Sequence, residues 1–130
     1  MAIFGVGNIV LVLSILFNVI VPSLGTNYTV GDTSGWALSV DYASWARRLV
    51  TRLSKSVILL VSSHLFNYPS GHTVDEVSES DYKSCSAANS ISTDSSGATT
   101  IPLNAAGKRY FICSVMGHCT GGMKLAVNVE

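Results

Sequence analysis

The chain has 130 residues, a length that suits one domain, and it sets eight Lys and Arg against eight Asp and Glu. A net charge of zero gives no support to a nucleic-acid binder or to a protein held on an anionic membrane, so both classes are set aside. The three cysteines allow one disulfide and leave one thiol over, an odd count that needs an explanation.

In chain order, the first element is an apolar run from Ile9 to Val21, followed by Pro22 and the small-residue pattern Ser23-Leu24-Gly25. The run is short for a membrane span and a plausible cleavage site follows it, so residues 1–25 are expected to be a signal peptide, although no Lys or Arg precedes the run. Removing them leaves a domain of about 105 residues, 26–130, enough for one small core. A secreted chain folds where cysteines pair, and Asn27-Tyr28-Thr29 becomes a usable glycosylation acceptor at Asn27. The chain shows no lipid-anchor signal and no membrane anchor is expected.

The rest reads mainly as strands. "TNYTVGDTSGW" is a β-rich run broken by glycines, and "DYASWARRL" has the makings of a helical turn. "LFNYPSGHTVDEV" places a Pro69-Ser70-Gly71 turn between two β-prone runs, and "ESDYKSC" offers a second helical turn. "SAANSISTDSSGA" is polar and reads as loop with a short strand; "ATTIPL", "KRYFIC" and "MKLAVNVE" follow as strands. In "KRYFIC", Tyr110 and Ile112 fall on one face and Phe111 and Cys113 on the other. Short strands with turn signals about every ten residues predict an all-β sandwich with one or two short helical segments. Residues 47–65, "RRLVTRLSKSVILLVSSHL", do not fit this rhythm. They start basic, end apolar, lack Gly and Pro, and read equally as a buried strand or an amphipathic helix.

The stretch "YFICSVMGHCTGGMKLAV" carries the chemistry. Cys113, His118 and Met123 follow a Cys-x4-His-x4-Met spacing, with the first at the end of one β run and the last at the start of the next. Thiolate, imidazole and thioether form a soft-leaning donor set that favours copper. Gly117, Gly121 and Gly122 let one loop fold around an ion. His72, just after the Pro69-Ser70-Gly71 turn, is the best candidate for a second imidazole; His64 and Met116 are weaker candidates as further ligands. Cys119 directly follows His118, so in extended chain the two point apart. Cys119 is thus better placed to reach Cys85, closing a loop of about 35 residues worth on the order of 3–4 kcal/mol. A Cys113–Cys119 bridge remains open as the alternative pairing. A catalytic Cys113–His118 pair has no orienting third residue in view, and zinc gains little from a thioether.

These residues resemble the phytocyanins, plant blue copper proteins of the cupredoxin fold. The matching stretches are "NYTVGDTSGW", "DYASWA", "FNYPSGHTVDEVSESDYKSC" and "NSISTDSSGATTIPLNAAGKRYFICSVMGHCTGGMKLAVNV". The resemblance implies a cupredoxin-like Greek-key β-sandwich of seven or eight strands with one type I copper ion at one end. It implies His72, Cys113, His118 and Met123 as ligands and Cys85–Cys119 as the disulfide. Met123 in the axial place looks like the plantacyanin and uclacyanin types. Function is then expected to be one-electron transfer by Cu(I)/Cu(II) cycling outside the cell, in apoplast or wall, with no substrate transformed and so no enzyme. The partner is expected to be a small-molecule or protein redox agent, and the chain a monomer. A secreted binding protein with structural or absent copper is the alternative. The chain departs from the family between Trp45 and Phe66, where the family has a shorter stretch with a Gly-Asp turn. That departure is either a divergent loop or a misread intron boundary.

Overall fold

A computed structural model of the chain describes residues 26–53, 61–103 and 105–129; the expected signal peptide lies outside the described residues. The first strand, β1 (Thr26–Thr29), leads through a 3-10 turn (Asp32–Ser34) to helix α1 (Tyr42–Leu53). Then come β2 (Val61–Asn67), β3 (Val74–Val77), α2 (Glu79–Ser84), β4 (Ser92–Asp94), β5 (Ala98–Pro102), β6 (Gly107–Ile112) and β7 (Lys124–Val129).

Seven strands among the described residues form two sheets, ordered β1-β2-β5 and β4-β3-β6-β7. β1 runs parallel to β2, and every other pairing is antiparallel. Period-two patterning explains why these segments pair. In β5, Thr99 and Ile101 are buried while Ala98, Thr100 and Pro102 are exposed; in β7, Leu125 and Val127 are buried between exposed Ala126 and Asn128. The inner faces meet in one core that takes Phe66 and Ile101 from the first sheet and Val74, Phe111, Leu125 and Val127 from the second. Trp36 lies at its centre, edge-on to Phe66 with ring centroids 5.1 Å apart, and Phe66 in turn meets Phe111 at 5.4 Å. Each such fully buried side chain contributes roughly 1.5–3 kcal/mol of burial.

β6 separates its faces as its alternation predicts. Phe111 and Cys113 enter the large core, whereas Tyr110 and Ile112 join a smaller outer cluster with Val77 and Cys119 under α2.

One of the two helical segments exceeds its expected size. "ESDYKSC" gives the short α2, with Ser78 as N-cap and Cys85 closing it at a positive φ of 55°. "DYASWARRL" gives more than one turn: α1 runs twelve residues. Asp41 caps it, accepting the Ser44 N–H at 3.0 Å. Tyr42, Trp45 and Leu49 repeat at helical spacing as a buried stripe, while Ala43, Arg47 and Arg48 stay exposed. The unassigned stretch 47–65 thus contributes both an amphipathic helix end and a strand. Residues 54–60 between them lie outside the described residues.

Candidate metal centre

All the loops that build the centre lie at one end of the sandwich. β2 rises into the Tyr68–Gly71 turn, where the Tyr68 N–H donates to the Gly97 carbonyl at 3.0 Å and Gly71 adopts φ 93°. His72 follows. Just beyond it, the Trp36 indole N–H donates to the Thr73 carbonyl at 2.8 Å, so the buried tryptophan fixes the chain on the far side of the histidine. β6 ends at fully buried Cys113, whose N–H donates to the Met123 carbonyl at 3.1 Å. Between these two residues the loop folds back on itself. The Met123 N–H donates to the His118 carbonyl at 2.9 Å and the His118 N–H to the Val115 carbonyl at 3.0 Å. Gly117 and Gly122 supply φ values of 80° and 100° that a β-carbon would disfavour.

The result is convergence. The Cys113 Sγ lies 3.4 Å from Nδ1 of His118 and 4.0 Å from Nδ1 of His72, and the two Nδ1 atoms are 3.2 Å apart. One donor atom from each of the three residues lies within 4.8 Å of the others. Burial, and then the neighbouring His118, hold the His72 imidazole below its ordinary pKa. Met123 is completely buried beside Cys113 in the core. Two imidazole nitrogens and a thiol sulfur turned toward one point are a donor set for a borderline-to-soft cation, so the residues fit copper. The loop is also stapled: Cys85 and Cys119 form a disulfide with their Cα atoms 5.7 Å apart, leaving Cys113 as the free thiol.

Of the residues singled out in the sequence, His72, Cys113 and His118 are brought together. Met123 is tied to two of them through the backbone. Asn27 lies on β1, exposed and away from the site. His64 is not part of the cluster. It is buried in β2 with its ring 5.6 Å from Trp45, and its Nδ1 has no hydrogen-bond partner among the described residues. Met116 is 96% exposed. Three contributors escaped sequence reasoning: Thr73, Asp75 and Ser114. The Thr73 N–H points at the Cys113 sulfur at 3.4 Å, and its hydroxyl joins Asp75 to Ser114. The available signal was a charge in phase with Val77 on a strand that otherwise buries that face.

Residues 36–123 match the family model of the plastocyanin-like domain. The chain belongs to the plastocyanin-like family. The phytocyanin resemblance read from its motifs holds. A blue copper protein of Pisum sativum is 59% identical over 116 residues, covering 88% of this chain and 58% of the relative. Uclacyanin-2 of Arabidopsis thaliana is 38% identical over 119 residues, covering 90% and 54%. The chain thus spans a little over half the length of these two relatives. Among solved structures, cucumber basic protein, a blue copper protein, superposes with a TM-score of 0.63 at 34% identity, covering 81% of this chain and 100% of that one. The two-sheet fold with few short helices is the cupredoxin sandwich of that family. Among the described residues no helix is long and apolar enough to cross a membrane.

Proposed function

We propose that this chain is a secreted electron carrier, not an enzyme, in which His72, Cys113, His118 and Met123 hold one type I copper ion. The observation that carries the reading is the convergence of the Cys113 sulfur and two imidazole Nδ1 atoms within 4.8 Å. When bound, copper supplies one-electron chemistry by passing between Cu(I) and Cu(II). The chain's residues do the rest. Cys113, fully buried, presents its sulfur with the Thr73 N–H directed at it, shielded from water and from oxidants. His72 and His118 stay partly exposed, so they lie between solvent and the buried sulfur and offer the shortest way for an electron to enter or leave. Met123, backed by the core, would supply the weak thioether donor. The Cys85–Cys119 staple and the backbone bonds across the loop hold these groups in place, so little movement accompanies a change of charge.

The partner is a small-molecule or protein redox agent outside the cell. Residues 1–25 direct export, residues 26–130 form the copper domain, and Asn27 is a glycosylation acceptor. These readings rest on the sequence pattern and on the kinship with plant blue copper proteins.

The test is spectroscopic. The chain made in an oxidising host and given Cu(II) is expected to show an intense blue absorption that ascorbate bleaches reversibly. Cys113→Ser is expected to abolish the band. A folded β protein without the band, or a band that survives Cys113→Ser, would reject the proposal.

A further inference from the structure

Asp75 is a carboxylate at 1% exposure in the middle of β3, and neither ion pair among the described residues includes it. Burying such a group is costly unless hydrogen bonds satisfy it. Its two oxygens take one hydroxyl each: Thr73 Oγ1 donates at 2.5 Å and Thr93 Oγ1 at 2.7 Å. An ionised carboxylate only accepts, and a threonine hydroxyl has one proton to give. The Thr73 proton is therefore committed to Asp75. Its oxygen is left to accept, taking the Ser114 N–H at 2.8 Å and the Ser114 hydroxyl at 2.9 Å. The Cys113 sulfur lies 3.9 Å from that same Thr73 oxygen, a long contact that competes with the short bond to Asp75 for the hydroxyl's single proton. The backbone N–H of Thr73 is directed at the sulfur at 3.4 Å.

Resting on the copper reading above, we propose that Asp75 is a positioning residue that sets the donor direction of the Thr73 hydroxyl. It thereby ties the chain after His72 to the chain after Cys113 and withholds a second hydrogen bond from the Cys113 sulfur. Hydrogen bonds to a ligating sulfur draw density from it and favour the reduced site. A carboxylate that claims the Thr73 proton keeps the site's reduction potential low. Among the described residues the Asp75 carboxylate hydrogen-bonds to Thr73 and Thr93 and to none of His72, Cys113 and His118, so it acts through Thr73.

The test compares Asp75→Asn, Thr73→Val and the double variant with the parent. Asparagine keeps the volume but donates as well as accepts, so it releases the Thr73 proton toward sulfur. Asp75→Asn is expected to retain the blue band and raise the potential. The shift is expected to be clearly smaller when Thr73→Val is already present, because the route through the hydroxyl is then gone. Thr73→Ser, which keeps the hydroxyl, is expected to restore the parent potential. The metal-free chain gives a second readout: amide exchange at Ser114 is expected to be about tenfold faster in Thr73→Val, the worth of one lost hydrogen bond, and unchanged in Thr73→Ser.

An unchanged potential in Asp75→Asn, or an equal shift with and without the Thr73 hydroxyl, overturns the inference. If Asp75→Asn does not fold, Thr73→Val against Thr73→Ser decides: equal potentials and equal Ser114 exchange overturn it. A parent chain without a blue band rejects the copper reading instead. The Ser114 exchange in metal-free protein then still decides whether Thr73 links the two loops.

Discussion

The two helices cover the sandwich in different ways. α2 is short, capped by Ser78, and covalently fastened: Cys85, at its C-terminal end, is bonded to Cys119, the residue after His118. Its Tyr82 ring lies 5.2 Å from Tyr110, and Lys124 donates to the Tyr82 carbonyl at 3.2 Å while its ammonium sits 4.4 Å over the ring. α1 is twice as long and packs on β7, holding its place by an apolar stripe over the buried His64. The helix beside the centre is locked to the ligand loop, while the one on the flank rests on packing. Stability and site geometry are therefore separable, and substitutions on each side should show it.

The largest effect is expected from Trp45→Ala. Trp45 is 3% exposed and joins α1 to the core, so its loss should cost up to about 5 kcal/mol. Chemical denaturation checks the stability, and the folded fraction should keep its blue band. Loss of the band in folded protein would break the proposed separation.

Replacing Cys85 and Cys119 together by Ala should cost a little less, about 4 kcal/mol for cysteines 34 positions apart in the chain-entropy model. Here the site is expected to respond as well. Removing the staple beside His118 should broaden or weaken the copper spectrum in protein that is still folded. An unaltered spectrum would mean that backbone bonds alone hold the loop.

The flank should also be sensitive to acid. Burial, then the charge of Arg109, push the His64 pKa down to about 4 from an ordinary 6.5. Between those values the unfolded chain binds a proton at His64 that the folded chain refuses. Stability therefore falls as pH drops from 6.5 to about 4 and gains nothing further above 6.5. Over the full window the loss is about 3 kcal/mol. Burial and the neighbouring His118 also lower His72 in metal-free protein, so the measurement is the difference in acid slope between the parent and His64→Leu. Equal slopes would mean His64 finds a partner for its proton.

The same contrast explains what could be read in advance. The centre was legible because its signals are local: Cys113, His118 and Met123 sit in one loop with the glycines that fold it, and His72 follows a proline-glycine turn. β5 and β7 were legible because their burial alternates with a period of two, and β6 because its β-prone run Tyr110-Phe111-Ile112 leads straight into Cys113. α1 was legible only at its start, because its stripe of Tyr42, Trp45 and Leu49 runs into the basic and apolar stretch that hides where the helix stops. The Asp75–Thr73–Ser114 chain was illegible for another reason: Thr73 and Ser114 lie 41 positions apart, and only the register of β3 against β6 brings them together.

The smallest effect, and the finest probe of the stapled side, is Ser78→Ala. The Ser78 hydroxyl oxygen accepts the Asp81 N–H at 3.2 Å and starts α2, whose other end carries Cys85. Losing the cap should cost about 1 kcal/mol. With the disulfide intact, the helix end frays while its anchored end stays put, so the copper spectrum should be unchanged. In the Cys85→Ala, Cys119→Ala background, α2 loses both fastenings. The same substitution should then cost more than about 1 kcal/mol, the excess measuring how far cap and staple act as one unit. Denaturant midpoints of the four proteins give that coupling. Strict additivity would mean that the disulfide holds His118 directly, with no contribution from the helix.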